Sequence, residues 1–198
     1  MFKSFSLPPA TRAIVVANVL VYLCYFIIGD SFRDRLALWP WHTYRFESWQ
    51  LLTYSFMQIG LPHLVVNMAA LLFFGRKLEP LWGARNFLVY YFGCVLAGGG
   101  IWLVWAALIA YTNATAGASG GVFGLLLAYA IVDPRAAVVE GVQAVPRWVF
   151  VLIFGALELL LGVFDRNAGV AHFAHVGGMV GGAIVFLFWG ERKPAPRR

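Results

Sequence analysis

Charge is scarce in this chain. Of its 198 residues only 12% are charged, while 61% are hydrophobic. A soluble domain of this length carries about twice that share of charge, so a water-exposed globular architecture is excluded. Cysteine is scarce as well. Cys24 and Cys94 both fall inside apolar runs, which excludes a disulfide framework and reads them as small core hydrophobes. No H-E-x-x-H sequence occurs, which argues against a zinc metalloprotease, and no metal or cofactor is expected. The formal net charge is +6, but the basic residues are spread over loops and termini, so nucleic acid is not an expected partner. A signal-peptide cleavage site is lacking too. The first apolar run is followed by Gly29-Asp30, which reads it as a retained helix.

Long apolar runs are what the chain has instead. Candidate helices cover about 13–29, 60–82, 86–108, 119–132, 146–164 and 170–190. Crossing a hydrocarbon layer takes ~20 helical residues, so the expected fold is all-α, with six transmembrane helices in one domain spanning 1–198. The lipid bilayer is its first partner. Pro146 suits the opening turn of the fifth helix. Lys and Arg then orient the chain. Eleven of them (Lys3, Arg12, Arg76, Lys77, Arg85, Arg135, Arg147, Arg192, Lys193, Arg197 and Arg198) fall on one side. The other side holds Arg33, Arg35, Arg45 and Arg166. By the positive-inside rule both termini are cytoplasmic, as in a multi-pass protein of a plasma or bacterial inner membrane.

Polar residues inside these helices are few and share a depth. The fourth helix, 119–132, is only ~21 Å long at 1.5 Å per residue, against a layer ~30 Å thick. Ser119 therefore lies ~10 Å below the outer face, and Tyr111–Ala118 dips into the membrane without being helical. Such backbone is tolerated only beside protein or water, which implies a cavity opening outward. The same rise per residue brings His63 and His175 to a similar layer. Gly117, Gly120, Gly121 and Gly124 on the fourth helix, and Gly177, Gly178, Gly181 and Gly182 on the sixth, have the spacing that lets helices approach closely in lipid. His175 is in phase with Gly178 and Gly182, so a tight contact would carry it toward Ser119. Taken alone, Ser119 is a small residue at a helix crossing. A serine facing a histidine in a bilayer points further, to proteolysis.

The motifs around these residues resemble the rhomboid intramembrane serine proteases. Gly117-Ala118-Ser119-Gly120 is similar to the family's G-x-S-G nucleophile motif, and Ala174-His175-Val176-Gly177-Gly178 to its A-H-x-G-G histidine motif. His63 and Asn67 resemble its H-x-x-x-N pair, and Gly75, Glu79 and Gly83 the G-x-x-x-E-x-x-x-G that follows. The resemblance covers nearly the whole chain. It implies substrates that are transmembrane segments of other proteins, with small residues at the cut, admitted laterally past the fifth helix. Two departures stand out. Trp49-Gln50 occupies the place of the family's frequent Trp-Arg, and Phe123 that of a tyrosine packed on the catalytic histidine.

The chemistry expected is hydrolysis by a Ser-His dyad. Ser119 is the nucleophile and His175 the base that takes its proton. His63 and Asn67, at i and i+4, supply oxyanion donors beside the Ser119 N–H and the Gly117-Ala118 segment. No acidic residue is expected to orient His175. His172 is read as a membrane-interface residue, and His42, in a loop with Trp39, Trp41 and Trp49, as a headgroup anchor. Glu158 lies near the same depth, protonated and hydrogen-bonded or facing the cavity, and is not taken as catalytic. Two other functions compete. One is a catalytically inactive rhomboid-like protein that binds transmembrane helices; the other is a small transporter, against which the chain offers one lone intramembrane acid and no internal repeat.

Overall fold

The computed structural model describes residues 7–133, 146–164 and 171–189. Lys3, Arg135, Arg166 and the basic tail from Arg192 to Arg198, used above to orient the chain, lie outside the described residues. The described chain is helical: α1 Pro9–Ile28, α2 Asp30–Leu36, α3 Gln50–Thr53, a 3-10 turn Tyr54–Phe56, α4 Leu61–Trp82, α5 Ala84–Leu108, α6 Ser119–Val132, α7 Arg147–Phe164 and α8 His172–Trp189. Four of these, α1, α5, α7 and α8, are long and apolar enough to cross a membrane. Helix α6 is shorter, and α4 meets that test only together with Gln50–Phe56, across a 96° bend.

Helix α5 is the central post. Its Phe87, Tyr90, Tyr91 and Trp102 are almost wholly buried, and α8 packs along it on one side and along α6 on another. Glycine permits both contacts. A Cβ on Gly178 would overlap the backbone of Gly120 in α6, and one on Gly177 would come within 2.9 Å of Ala97 O in α5. In lipid, where apolar burial gives no advantage over solvent tails, such backbone approach supplies the van der Waals contact that holds helices together. Cys94 lies in this seam, against Gly124 and Gly182, whereas Cys24 is exposed on α1 rather than in a core.

Helix α1 opens at Pro9, earlier than hydropathy placed it, because a carboxylate from α4 caps it. Glu79 accepts the Ala10 and Thr11 N–H groups at 2.9 and 2.7 Å and the Thr11 hydroxyl at 2.7 Å. These are orphan donors of a first helical turn, and a negative charge there also suits the helix dipole. Gly75, one turn earlier on α4, leaves the space that the Thr11 side chain fills.

The aromatic loop between α1 and α4 is tied from within by one side chain. Gln50 is 1% exposed. Its carbonyl accepts from the Trp39 and Glu47 N–H groups and its amide donates to Arg45 O. Gln50, in the place of the arginine of the frequent Trp-Arg pair, thus holds the loop through an uncharged amide. Trp41, Trp49 and His42 remain on its surface.

Replacing Glu79 with Ala should lower unfolding free energy by ~2–3 kcal/mol, since a buried charged acceptor of three hydrogen bonds is lost. Reversible unfolding of the detergent-solubilised protein reads this directly.

Candidate active site

Ser119 owes its position to the non-helical segment that precedes it. Tyr111–Ala118 is tied to its flanking helices only at its ends, where Tyr111 N–H donates to Ala106 O at 2.8 Å and Ala118 O accepts from Val122 N–H at 3.1 Å; between them its backbone bonds to the loop and the turn before α4. Leu38 and Thr115 exchange two hydrogen bonds, each 2.9 Å, and Gly117 N–H donates to Tyr54 O at 2.9 Å. Tyr54 is itself fixed by its hydroxyl, which donates to Val95 O at 2.7 Å. The chain then turns into α6 at Ser119, whose N–H is one of the unpaired donors of a helix start. Gly117 has φ +144°, and a Cβ there would lie 2.7 Å from His63 Cε1. Only glycine gives the backbone this angle and leaves room for the imidazole.

Across the α6–α8 seam, Ser119 Oγ lies 2.7 Å from His175 Nε2. The His175 ring stacks on Phe123, with centroids 4.4 Å apart and planes 6° from parallel. The ring packing of the family's tyrosine is therefore kept by phenylalanine, without a hydroxyl. His175 is buried, and its other nitrogen is engaged: Nδ1 lies 2.8 Å from Glu158 Oε2 on α7. His172 Nδ1 lies 2.6 Å from the same oxygen.

These contacts correct two expectations. An acidic residue does lie against His175, so Ser119, His175 and Glu158 stand in a row of three. His172, read only as an interface residue, is 6% exposed and bonded to the same carboxylate. The physical reason is helix phase: His172 and His175, at i and i+3, share the face of α8 that meets α7. Sequence signals for this existed. Gly155 and Gly162 flank Glu158 by about one turn on either side, and they bring α7 close to Met179, His172 and Phe173 of α8. The donor atoms of Glu158, His172 and His175 lie within 4.8 Å of one another, a cluster that invites a metal reading. However, a tetrahedral ion with ligands at ~2.1 Å holds them ~3.4 Å apart. Separations of 2.6 and 2.8 Å are those of hydrogen bonds instead.

His63 and Asn67 reach the same region from α4. Ile59 N–H donates to His63 Nδ1 at 3.4 Å, which leaves the ring proton on Nε2, at the edge facing Gly117 and Ser119. Asn67 is more committed. Its amide donates to Gln58 Oε1 at 3.1 Å and to His63 O at 3.0 Å, so both its hydrogens are engaged. Gln58 in turn donates to Asn18 Oδ1 at 2.7 Å, linking α1 to α4 through buried amides. Sequence reading passed over Gln58 because nothing in its spacing marks it.

Together these residues edge a cavity of about 370 Å³ between α4, α6, α7 and α8. Ser119, His175, His63 and Asn67 supply its polar wall. Val66 and Phe74 of α4 and Phe150 and Phe154 of α7 line the apolar remainder. Ala116 lies in the same wall, while Ala118 is fully buried behind it. The arrangement offers an aligned hydroxyl and base, donors for a developing oxyanion, and an apolar trough.

Asn67→Ala should lower stability by ~1–3 kcal/mol, because it leaves the buried Gln58 carbonyl without its donor. Thermal unfolding in detergent checks it, with Val66→Ala on the same helix as the control.

A sequence profile of the rhomboid domain matches residues 45–192. Similar curated proteins include rhomboid protease GlpG of Yersinia pestis (strain Pestoides F) and of Yersinia pseudotuberculosis serotype O:3 (strain YPIII), each 25% identical over 189 residues. GlpG of Yersinia enterocolitica serotype O:8 / biotype 1B (strain NCTC 13174 / 8081) is 24% identical over 189 residues. These alignments take in 94% of this chain and 64% of each relative, so the chain spans a little under two thirds of their length. Ser119, His175, His63, Asn67 and Glu158 all fall within the matched span. The chain is a multi-pass membrane protein and belongs to the rhomboid family.

Proposed function

We propose that this protein is an intramembrane serine endopeptidase that cleaves transmembrane segments of other membrane proteins. The observation that carries the reading is Ser119 Oγ at 2.7 Å from His175 Nε2, at the edge of an apolar cavity. Ser119 Oγ attacks the scissile carbonyl carbon while its proton passes to His175 Nε2. The oxyanion accepts hydrogen bonds from the Ser119 N–H and from His63 Nε2–H. Asn67 joins them by releasing Gln58, and Gly117 and Ala118 shape the backbone beside the hole. The imidazolium then protonates the leaving amine, and water drawn through the cavity hydrolyses the acyl-enzyme.

In this reading the chain is one domain over 1–198, crossing the bilayer six times with both termini cytoplasmic, in a bacterial inner membrane. Helices α4 and α6 supply the two further crossings beyond the four long apolar helices. The basic residues favour this orientation, and the shortness of α6 supports a Ser119 that lies below the outer face. Substrates bring small residues at the cut and a helix that unwinds readily. They reach the trough laterally past α7, whose Leu152, Ile153, Leu159 and Leu160 face outward and which is packed on α6 and α8 rather than α4. A catalytically inactive helix-binding protein is the second reading. An aligned hydroxyl and imidazole weigh against it, since helix binding alone requires neither.

A fluorescent fluorophosphonate tests the proposal. Wild-type protein in detergent should label, while Ser119→Ala and His175→Ala should not; no labelling of folded wild type would favour the inactive reading. His63→Ala should reduce cleavage of a transmembrane reporter by ~10²–10³-fold, as expected for a lost oxyanion donor. A loss of only a few-fold would remove His63 from that role.

A further inference from the structure

We infer that Glu158 is the positioning residue of the base: it accepts the Nδ1–H of His175 and holds the ring in the tautomer that leaves Nε2 bare toward Ser119. The inference rests on the reading of Ser119 and His175 as nucleophile and base. It adds a third member, supplied from α7, to a site built otherwise on α4, α6 and α8.

The geometry carries it. A neutral imidazole has one N–H and one acceptor. For Nε2 to take the serine proton, Nδ1 must hold the ring proton, and a buried N–H needs an acceptor. Glu158 Oε2, at 2.8 Å, is the acceptor that the described residues place there. The carboxyl group is held in turn. His172 Nδ1 meets the same oxygen at 2.6 Å, and Gly162 lets α7 approach His172, since a Cβ there would lie 3.3 Å from His172 Cβ. Phe123 stacks on the His175 face and Glu158 meets its edge, so tilt and rotation of the ring are both set.

Glu158 is also among the few buried side chains of α7. Along that helix only Arg147, Glu158 and Gly162 are buried, and Arg147 sits at the far end, on Tyr129 and Asp133. In the apolar stretch of an otherwise outward-facing helix, a carboxylate shared by two imidazoles has no packing role that a leucine would not fill better. The proton moves from Ser119 Oγ to His175 Nε2, and Nδ1–H stays on His175. Glu158 takes no proton; it faces the imidazolium that forms and stabilises it.

The test begins with wild-type protein in lipid, carrying ¹⁵N-labelled imidazole rings, with the His175 signals assigned by their loss in His175→Ala. Solid-state NMR should find His175 protonated at Nδ1 and bare at Nε2. The opposite tautomer would overturn the proposal without any variant. Glu158→Gln is then compared in reporter cleavage and fluorophosphonate labelling. Its amide presents N–H as well as C=O to Nδ1, so the tautomer is released. The expected loss is ~10²–10⁴-fold in kcat with KM changed less than about three-fold, and the His175 signals should move toward the other tautomer. Cleavage and labelling within about five-fold of wild type, at an unchanged melting temperature, would sink the idea. Should Glu158→Gln fail to fold, the wild-type tautomer decides alone. If wild type resists the fluorophosphonate altogether, the nucleophile–base reading fails, a result separate from the tautomer.

Discussion

The approach of α8 to α6 is the constraint on which the site depends. Gly178 meets the Gly120 backbone with no room for a side chain on Gly178, and a Cβ on Gly120 would be tight, 3.3 Å from Ala174 O. That spacing brings His175 within 2.7 Å of a serine one residue before Gly120. A larger residue at this crossing would separate the helices by about the width of a methyl group, and a hydrogen bond does not survive such a gap. The glycines here set the Ser119–His175 contact by serving packing, and lipid makes them effective, because close contact rather than water exclusion holds membrane helices together.

A second constraint governs the backbone. The segment before Ser119 is irregular, and irregular backbone at membrane depth must find its partners within the protein. It finds them in Leu38 and Tyr54, which belong to the aromatic loop and its turn. That loop is consequently part of the scaffold of Ser119. Gln50 ties it internally through three hydrogen bonds, which accounts for how the chain manages without an arginine at that position.

Helix α7 stands apart from this scaffold. Most of its surface faces outward, and the trough lies along its Phe150 and Phe154. Its polar tie to the rest of the site is the carboxylate between two histidines. The helix that lines the trough thus also carries the carboxylate facing His175, so its placement and the setting of the His175 ring are physically linked.

Much of this protein was determined by sequence alone. Hydropathy over windows of helical length located the six longer helices but not α2 and α3, because a bilayer admits few other solutions for a long apolar run. The α6 span appeared at 119–132, since a serine after a glycine-rich turn and an Asp-Pro pair bound it on both sides. Glycine spacing foretold the α6–α8 seam, and motif order identified Ser119, His175, His63 and Asn67 as the residues to watch. What sequence left open were the pairings between distant polar groups. Glu158 with His175, Glu79 with the start of α1, and Gln58 between Asn18 and Asn67 each join residues whose neighbourhood depends on helix rotation and depth together. A rotation of one residue, about 100°, would turn Glu158 away from α8 with no change in hydropathy. Only the packed bundle, where Gly155 and Gly162 select the face of α7 that meets α8, decides that this acid lies against the base.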